Sequence, residues 1–141
     1  MVNEPLSRHL EPLPIGSGHT LRALREQWDA LEHHAVVTVT DRDGYITHVN
    51  QGFCEMMGYS RDELLGQTHR LVNSGLHPTA FFAQLWSTIT KGQVWKGELC
   101  NRTKDGRNIW LAATIVPILG EDGGPREYIA FRTDLTQQKR A

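Results

Sequence analysis

The sequence has few of the features that mark membrane proteins or secreted proteins. Only two of its 141 residues are cysteines, Cys54 and Cys100, and they form no CxxC pair. Two cysteines so far apart make a poor disulfide framework, so reduced thiols in the cytosol are the simpler interpretation. Every apolar run is much shorter than the roughly 20 residues that span a bilayer, and the first residues lack the layout of a signal peptide. We therefore expect a soluble, cytoplasmic protein without direct membrane contact.

An excess of charge of either sign is also missing. Lys and Arg together number 15, against 16 Asp and Glu, and the net charge is −1. Nucleic-acid-binding proteins normally carry clustered Lys and Arg on one face, so we expect no nucleic-acid partner.

Motifs of catalysis are absent as well. The chain has no HExxH, no GxxxxGK[ST], no spaced set of Cys and His ligands and no recognisable pairing of a nucleophile with a base. A small reductase would be the best enzyme hypothesis, but it needs a nicotinamide nucleotide site that this length scarcely accommodates. We predict one compact domain and no enzyme.

The N-terminal part divides into an arm and a helix. Residues 1–17 are rich in proline and show little periodicity, which is typical of a flexible arm. In residues 18–34 the apolar side chains recur every three or four residues, which predicts an amphipathic helix. That helix packs either on its own domain or against a second subunit, and we predict a homodimer. Its apolar stripe consists of Leu21, Leu24, Trp28 and Leu31.

Residues 35–134 predict an α+β domain with one antiparallel sheet of five strands and short helices on one face. A hairpin with a turn at residues 41–44 comes first. Two short helices follow, one capped by Asn50 and ended by Gly58, the other opened by a capping box from Ser60. A longer helix begins at Pro78, and strands are expected at about 94–103, 107–119 and 126–133. Residues 135–141 read as the start of a C-terminal signalling connector.

A polar side chain on the first of these last three strands points to a ligand. Strand alternation places Trp95, Leu99 and Asn101 on one face, and Leu99 requires that face to be the core. An unpaired inward amide costs about 1–3 kcal/mol, and a ligand with donors and acceptors removes that cost. His69, Trp86 and Trp95 lie in the same stretch, and aromatic walls suit a planar ring system. An ordinary core role is the alternative for both tryptophans, and we favour packing against the ligand.

Several motifs in their order resemble a PAS domain with its C-terminal PAC region, from about residue 28 to residue 140. They are the asparagine that opens a helix after a hairpin, Gly58-Tyr59-Ser60, the segment 101–106 between two strands, and Asp134-Leu135-Thr136. Within PAS domains the chain is similar to the flavin-binding redox and oxygen sensors of nitrogen-fixation regulators and aerotaxis receptors. The residues that carry this closer likeness are Gly66-Gln67-Thr68-His69, Leu85-Trp86, Trp95-Lys96-Gly97 and Asn101-Arg102.

The resemblance implies FAD held non-covalently, with Asn101 hydrogen-bonded to the pyrimidine edge of the ring. It implies sensing of redox state or oxygen, with the signal passed to an output domain such as a histidine kinase or a chemoreceptor. His69 stands where light-sensing LOV domains carry their reactive cysteine, so ordinary LOV photochemistry is excluded. A haem-binding sensor and a ligand-free dimerisation module remain the alternatives. The implied cofactor-binding residues are Asn101, His69, Trp86, Trp95, Thr38, Asn50 and Arg132, the last of which replaces the glutamine of LOV domains.

Overall fold

The computed structural model describes residues 35–136. The predicted arm, the predicted amphipathic helix at 18–34 and the connector beyond Thr136 lie outside the described residues. Within residues 35–136, no helix is both long enough and apolar enough to cross a membrane.

Residues 35–136 form five strands and three α-helices, with one short 3-10 helix between the second and third α-helices. The sheet is antiparallel throughout, and its strand order is β2-β1-β5-β4-β3. Because β1 and β5 are neighbours, both ends of the described chain belong to the middle of the sheet. The elements are β1 (Val36–Asp41), β2 (Ile46–Val49), α1 (Gln51–Met57), α2 (Arg61–Leu64), the 3-10 helix (His69–Val72), α3 (Thr79–Thr90), β3 (Trp95–Arg102), β4 (Asn108–Leu119) and β5 (Pro125–Asp134).

The short helices begin and end where the sequence predicts. Asn50 caps α1 by accepting a hydrogen bond from the Phe53 amide, and Gly58 ends α1 with a left-handed φ of 84°. Such a φ is open to glycine at little steric cost. Ser60 and Glu63 form a reciprocal capping box at α2. The fold class, the hairpin and the three C-terminal strands are confirmed, and each strand end lies within one residue of its expected position.

The core lies between one face of the sheet and the helices, and we call that face the inner face. Phe53 and Met57 of α1, Leu64 of α2 and Leu111 of β4 are fully buried there. Each such side chain contributes about 1.5–3 kcal/mol on leaving water. A second cluster lies under α3 and contains Leu85, Ile89, Trp95, Ala113 and Tyr128.

Candidate ligand-binding site

The register of the sheet places three polar residues on the inner face. Thr38 of β1 pairs with Ala130 of β5, so Arg132, two residues further along β5, has the same orientation. Asn101 of β3 pairs with the buried Ile109 of β4, which belongs to the core beneath the helices. Thr38 and Asn101 are both buried, at 0% and 7% exposure. The expectation that Asn101 faces the core is confirmed.

Arg132 gathers Thr38 and His69 into one hydrogen-bonded cluster. Its Nη1 donates to Thr38 Oγ1 at 3.0 Å, and its Nη2 lies 2.8 Å from His69 Nε2. A guanidinium has only donors, so Nε2 must accept and the proton of the neutral imidazole is on Nδ1. The Thr38 hydroxyl lies 3.2 Å from the same nitrogen. The guanidinium also stacks on the Phe53 ring, 4.8 Å from its centroid.

The cluster holds a neutral histidine beside a buried cation. His69 is half-buried. Burial, and then the positive charge of Arg132, lower the pKa of His69 to about 3. Burial also lowers the pKa of Arg132 to about 10, so the guanidinium stays charged at neutral pH. In the described part of the chain Arg132 forms no ion pair with a carboxylate.

Two buried donors on the inner face have no hydrogen-bond partner within residues 35–136. They are Nδ2 of Asn101 and Nε of Arg132. An orphaned buried donor costs about 1–3 kcal/mol, more when the group is charged. A bound group with carbonyl oxygens or ring nitrogens facing these two atoms removes both costs. The pyrimidine edge of a flavin offers such acceptors, so the residues present fit that group.

Asn50 does not share this role, since the backbone uses its side chain. Its Oδ1 accepts from the amides of Val37 and Phe53, both at 3.0 Å, and its Nδ2 donates to the Ala35 carbonyl at 2.8 Å. These bonds tie the start of β1 to α1. Asn50 therefore shapes the domain, and its placement in a cofactor site has no support from its contacts.

The two tryptophans occupy different places. Trp95 is 5% exposed and covers Gly97, where a Cβ would lie 2.6 Å from the indole ring. Its Nε1 donates to Gln84 Oε1 of α3 at 2.8 Å, which fixes the ring on the inner face. Trp86 is 39% exposed and packs edge-on against Tyr128, at 5.8 Å between ring centroids. The ring contact of Trp86 is with Tyr128, which lies under α3, whereas Trp95 shares the inner face of β3 with Asn101.

A family model for the PAS domain matches residues 33–137. The chain belongs to the PAS domain family. Among curated relatives it is 39% identical over 104 residues to an aerotaxis receptor of Escherichia coli, covering 74% of this chain and 20% of that protein. It is 33% identical over 100 residues to a nitrogen fixation regulatory protein of Klebsiella pneumoniae, covering 71% and 20%. The chain thus spans about a fifth of the length of these relatives.

Solved structures agree with this fold. The crystal structure of a PAS domain from Colwellia psychrerythraea superimposes with a TM-score of 0.69 at 25% identity, covering 82% of this chain and 98% of that one. An RNA-binding light-oxygen-voltage receptor gives a TM-score of 0.74 at 20% identity, covering 92% and 38%. The resemblance to PAS domains stated from the sequence is confirmed.

Sequence reasoning missed two contributors to this PAS domain. Phe53 lies beneath the guanidinium of Arg132, and no local sequence pattern indicates that contact. His77 was not singled out, although its Nε2 accepts the Cys100 amide at 2.9 Å. A lone histidine in a loop before a proline has no periodic neighbours to mark it. Within residues 35–136, no group of three or more His, Cys, Asp or Glu side chains is arranged to hold a metal ion.

Proposed function

We propose that this PAS domain binds FAD non-covalently on the inner face of its sheet and senses redox state or oxygen. The observation that supports the proposal is the pair of orphaned donors on Asn101 and Arg132. Neither donor has an acceptor among residues 35–136, and both lie on the face that the short helices cover. The kinship with an aerotaxis receptor and a nitrogen fixation regulatory protein supports a sensory role.

Asn101 and the three residues of the arginine cluster have distinct tasks in this proposal. The Asn101 amide binds the pyrimidine edge of the ring. The Arg132 cation attracts negative charge, since a buried charge without a counter-ion gains most from an electron-rich partner. His69 and Thr38 hold the guanidinium in place, and His69 stays neutral because its pKa is about 3. The flavin itself supplies reversible electron uptake.

The exit of the chain adjoins the cluster, which suits transmission to an output module. Arg132 lies on β5, two residues before that strand ends at Asp134. The Leu135 amide then donates to the Trp110 carbonyl at 2.6 Å, and the Trp110 amide donates to Thr136 Oγ1 at 3.0 Å. A change in the bonds of Arg132 therefore reaches the connector through one strand.

Absorption spectroscopy of the purified full chain tests the cofactor. A yellow protein with the spectrum of oxidised flavin, from which heat releases FAD by chromatography, is the expected result. Released FMN would correct the cofactor, and a haem spectrum would favour the alternative in which a histidine ligates iron. A colourless protein that takes up no added FAD would leave a ligand-free interaction module and would contradict the proposal.

We further propose that the domain forms a homodimer through the helix predicted at residues 18–34. The support is the stripe of Leu21, Leu24, Trp28 and Leu31. Light scattering at tens of micromolar should give twice the monomer mass for the full chain and the monomer mass after deletion of residues 1–34. Deletion of residues 1–17 alone is the matched control and should leave the dimer intact. A monomeric full chain would contradict the proposal.

A further inference from the structure

The segment from Asn73 to His77, which we call the edge segment, covers the outer edge of β3. β3 is the last strand of the sheet on that side, so its outward backbone groups need partners other than a sixth strand. Three consecutive residues of β3 are each tied to this segment. The Cys100 amide donates to His77 Nε2 at 2.9 Å, Asn101 forms a β-bridge with Asn73, and Arg102 Nη2 donates to the Ser74 carbonyl at 3.1 Å.

The middle residue of these three is Asn101, whose amide is one of the two orphaned donors. Its backbone is held on one side by Ile109 of β4 and on the other by the edge segment. The direction in which its side chain enters the core thus depends on the edge segment staying in place. Ser74 is only 4% exposed although it is a loop residue, so the edge segment packs closely against the domain.

His77 is the one residue of the edge segment with an ionisable side chain. Because Nε2 accepts a backbone N–H, the imidazole is neutral and its proton is on Nδ1. The ring stacks on Phe81 of α3 at 4.2 Å between centroids, and meets Phe82 and Trp110 edge-on, both at 5.8 Å. One side chain therefore connects the edge strand to α3 and β4.

We propose that His77 is the positioning residue for Asn101, and that protonation of His77 detaches the edge segment and releases the ligand. The inference rests on the proposed function for the identity of the ligand. The tie between His77 and the Cys100 amide is independent of it.

The physical basis is the loss of an acceptor. A proton on Nε2 turns that nitrogen into a donor, so it faces the Cys100 N–H donor without a bond between them. The ring contacts the Phe81 and Phe82 rings of α3 and Trp110 of β4, and its Nε2 meets the Cys100 amide of β3. The charged residues of β3 two positions to either side of Cys100 are Glu98, whose carboxylate favours a nearby cation, and Arg102, whose guanidinium opposes one. Burial lowers the pKa of His77 below 6.5, so detachment belongs to acid conditions.

Hydrogen exchange on the full chain without added ligand tests the tie itself. Corrected for the intrinsic pH dependence of exchange, protection of the Cys100 amide should fall about tenfold between pH 7.5 and pH 5 in the wild type. His77→Gln supplies a neutral acceptor at a similar reach, so its Cys100 protection should not change with pH. His48→Gln is the control and should behave as the wild type. Equal pH dependence in the wild type and His77→Gln would overturn the proposal.

The FAD-loaded chain tests the effect on the ligand. The rate at which FAD fluorescence appears on dissociation should rise about tenfold over the same pH range in the wild type and stay flat in His77→Gln. His77→Ala should dissociate fast at every pH. If exchange responds to pH and FAD never binds, the tie stands and the proposed cofactor fails. If FAD binds to the wild type but dissociates at the same rate across this pH range, the positioning role of His77 fails and the proposed function stands.

Discussion

Asn50 and Asn101 are the same side chain in two regions of one core, and they are treated in opposite ways. Asn50 is 3% exposed and makes hydrogen bonds to the backbone at Ala35, Val37 and Phe53. Asn101 is 7% exposed, and its Nδ2 has no partner within the described residues. Burial is therefore the same for the structural asparagine and for the one that we propose binds a ligand, and the two differ in whether the Nδ2 donor has a partner.

The neighbours of the two residues differ in the same sense. The bonds from the Asn50 side chain to Ala35, Val37 and Phe53 lie at the junction between β1 and α1, where a helix start needs acceptors for its free amides. Near Asn101 and Arg132 the inner face carries donors in excess, and one of them belongs to a cation without a carboxylate partner in the described chain. In the first region the asparagine side chain is bonded within the protein, and in the second two buried donors have no acceptor among residues 35–136.

Asn50→Ala should have the largest effect of the changes considered. It removes a helix cap, and it leaves the Val37 amide and the Ala35 carbonyl without their partners, so we expect a loss of roughly 3 kcal/mol in the free energy of unfolding. Urea denaturation of the ligand-free chain measures this loss. Asn50→Asp, which keeps the cap acceptor and loses the Nδ2 donor, should lie between wild type and alanine. A loss below about 1 kcal/mol for alanine would remove the contrast with Asn101.

Asn101→Ala should show the opposite pattern. The ligand-free protein should change by less than about 1 kcal/mol, because the lost amide made no bond through its Nδ2 and had been buried at a cost. Affinity for FAD should fall at least about tenfold, because the variant lacks the amide that we propose bonds the pyrimidine edge of the flavin. Isothermal titration with FAD measures the affinity, and Asn108→Ala on the exposed start of β4 is the control. Unchanged FAD affinity would remove Asn101 from the site.

Sequence patterns predicted the local features of the two asparagines better than they predicted the arginine cluster. The cap at Asn50 and the inward face of Asn101 follow from local rules, namely helix start signals and strand alternation, which read residues a few positions apart. The cluster of Thr38, His69 and Arg132 joins three elements separated by up to 94 positions. Its existence depends on β5 entering the sheet beside β1, and no local pattern of either strand specifies that pairing. Only the resemblance to PAS domains brought those residues together in advance.

Arg132→Met removes the buried cation and, with it, the unpartnered Nε donor. Replacing a buried cation by an apolar side chain of similar length should raise the free energy of unfolding of the ligand-free chain by about 1 kcal/mol. Thr38 and His69 can then bond each other, since their polar atoms already lie 3.2 Å apart. FAD affinity should fall in the same variant. Arg126→Met, on the exposed part of β5, is the control and should change neither quantity. Destabilisation by several kcal/mol would mean that the cation–π contact and hydrogen bonds of Arg132 outweigh its burial.

The smallest expected effect is the pH dependence that His69 gives to stability. Its pKa is lowered from 6.5 to about 3, so below pH 6.5 the unfolded chain binds a proton that the native chain does not. Stability is therefore fully present above pH 6.5 and is lost as pH falls towards 3, by about 1 kcal/mol between pH 6.5 and 5.5. His69→Gln should make the free energy of unfolding, measured with urea, depend less on pH over that interval than in the wild type.

The pKa of His77 is lowered as well, so His77→Gln and the double variant separate the contributions of the two histidines. In Arg132→Met the repulsion from the guanidinium is gone, so the pKa of His69 should rise and the loss over the full acid range should shrink. An undiminished slope in His69→Gln would show that His69 is protonated in the native protein, and Arg132 Nη2 would then lack the acceptor on which the cluster depends.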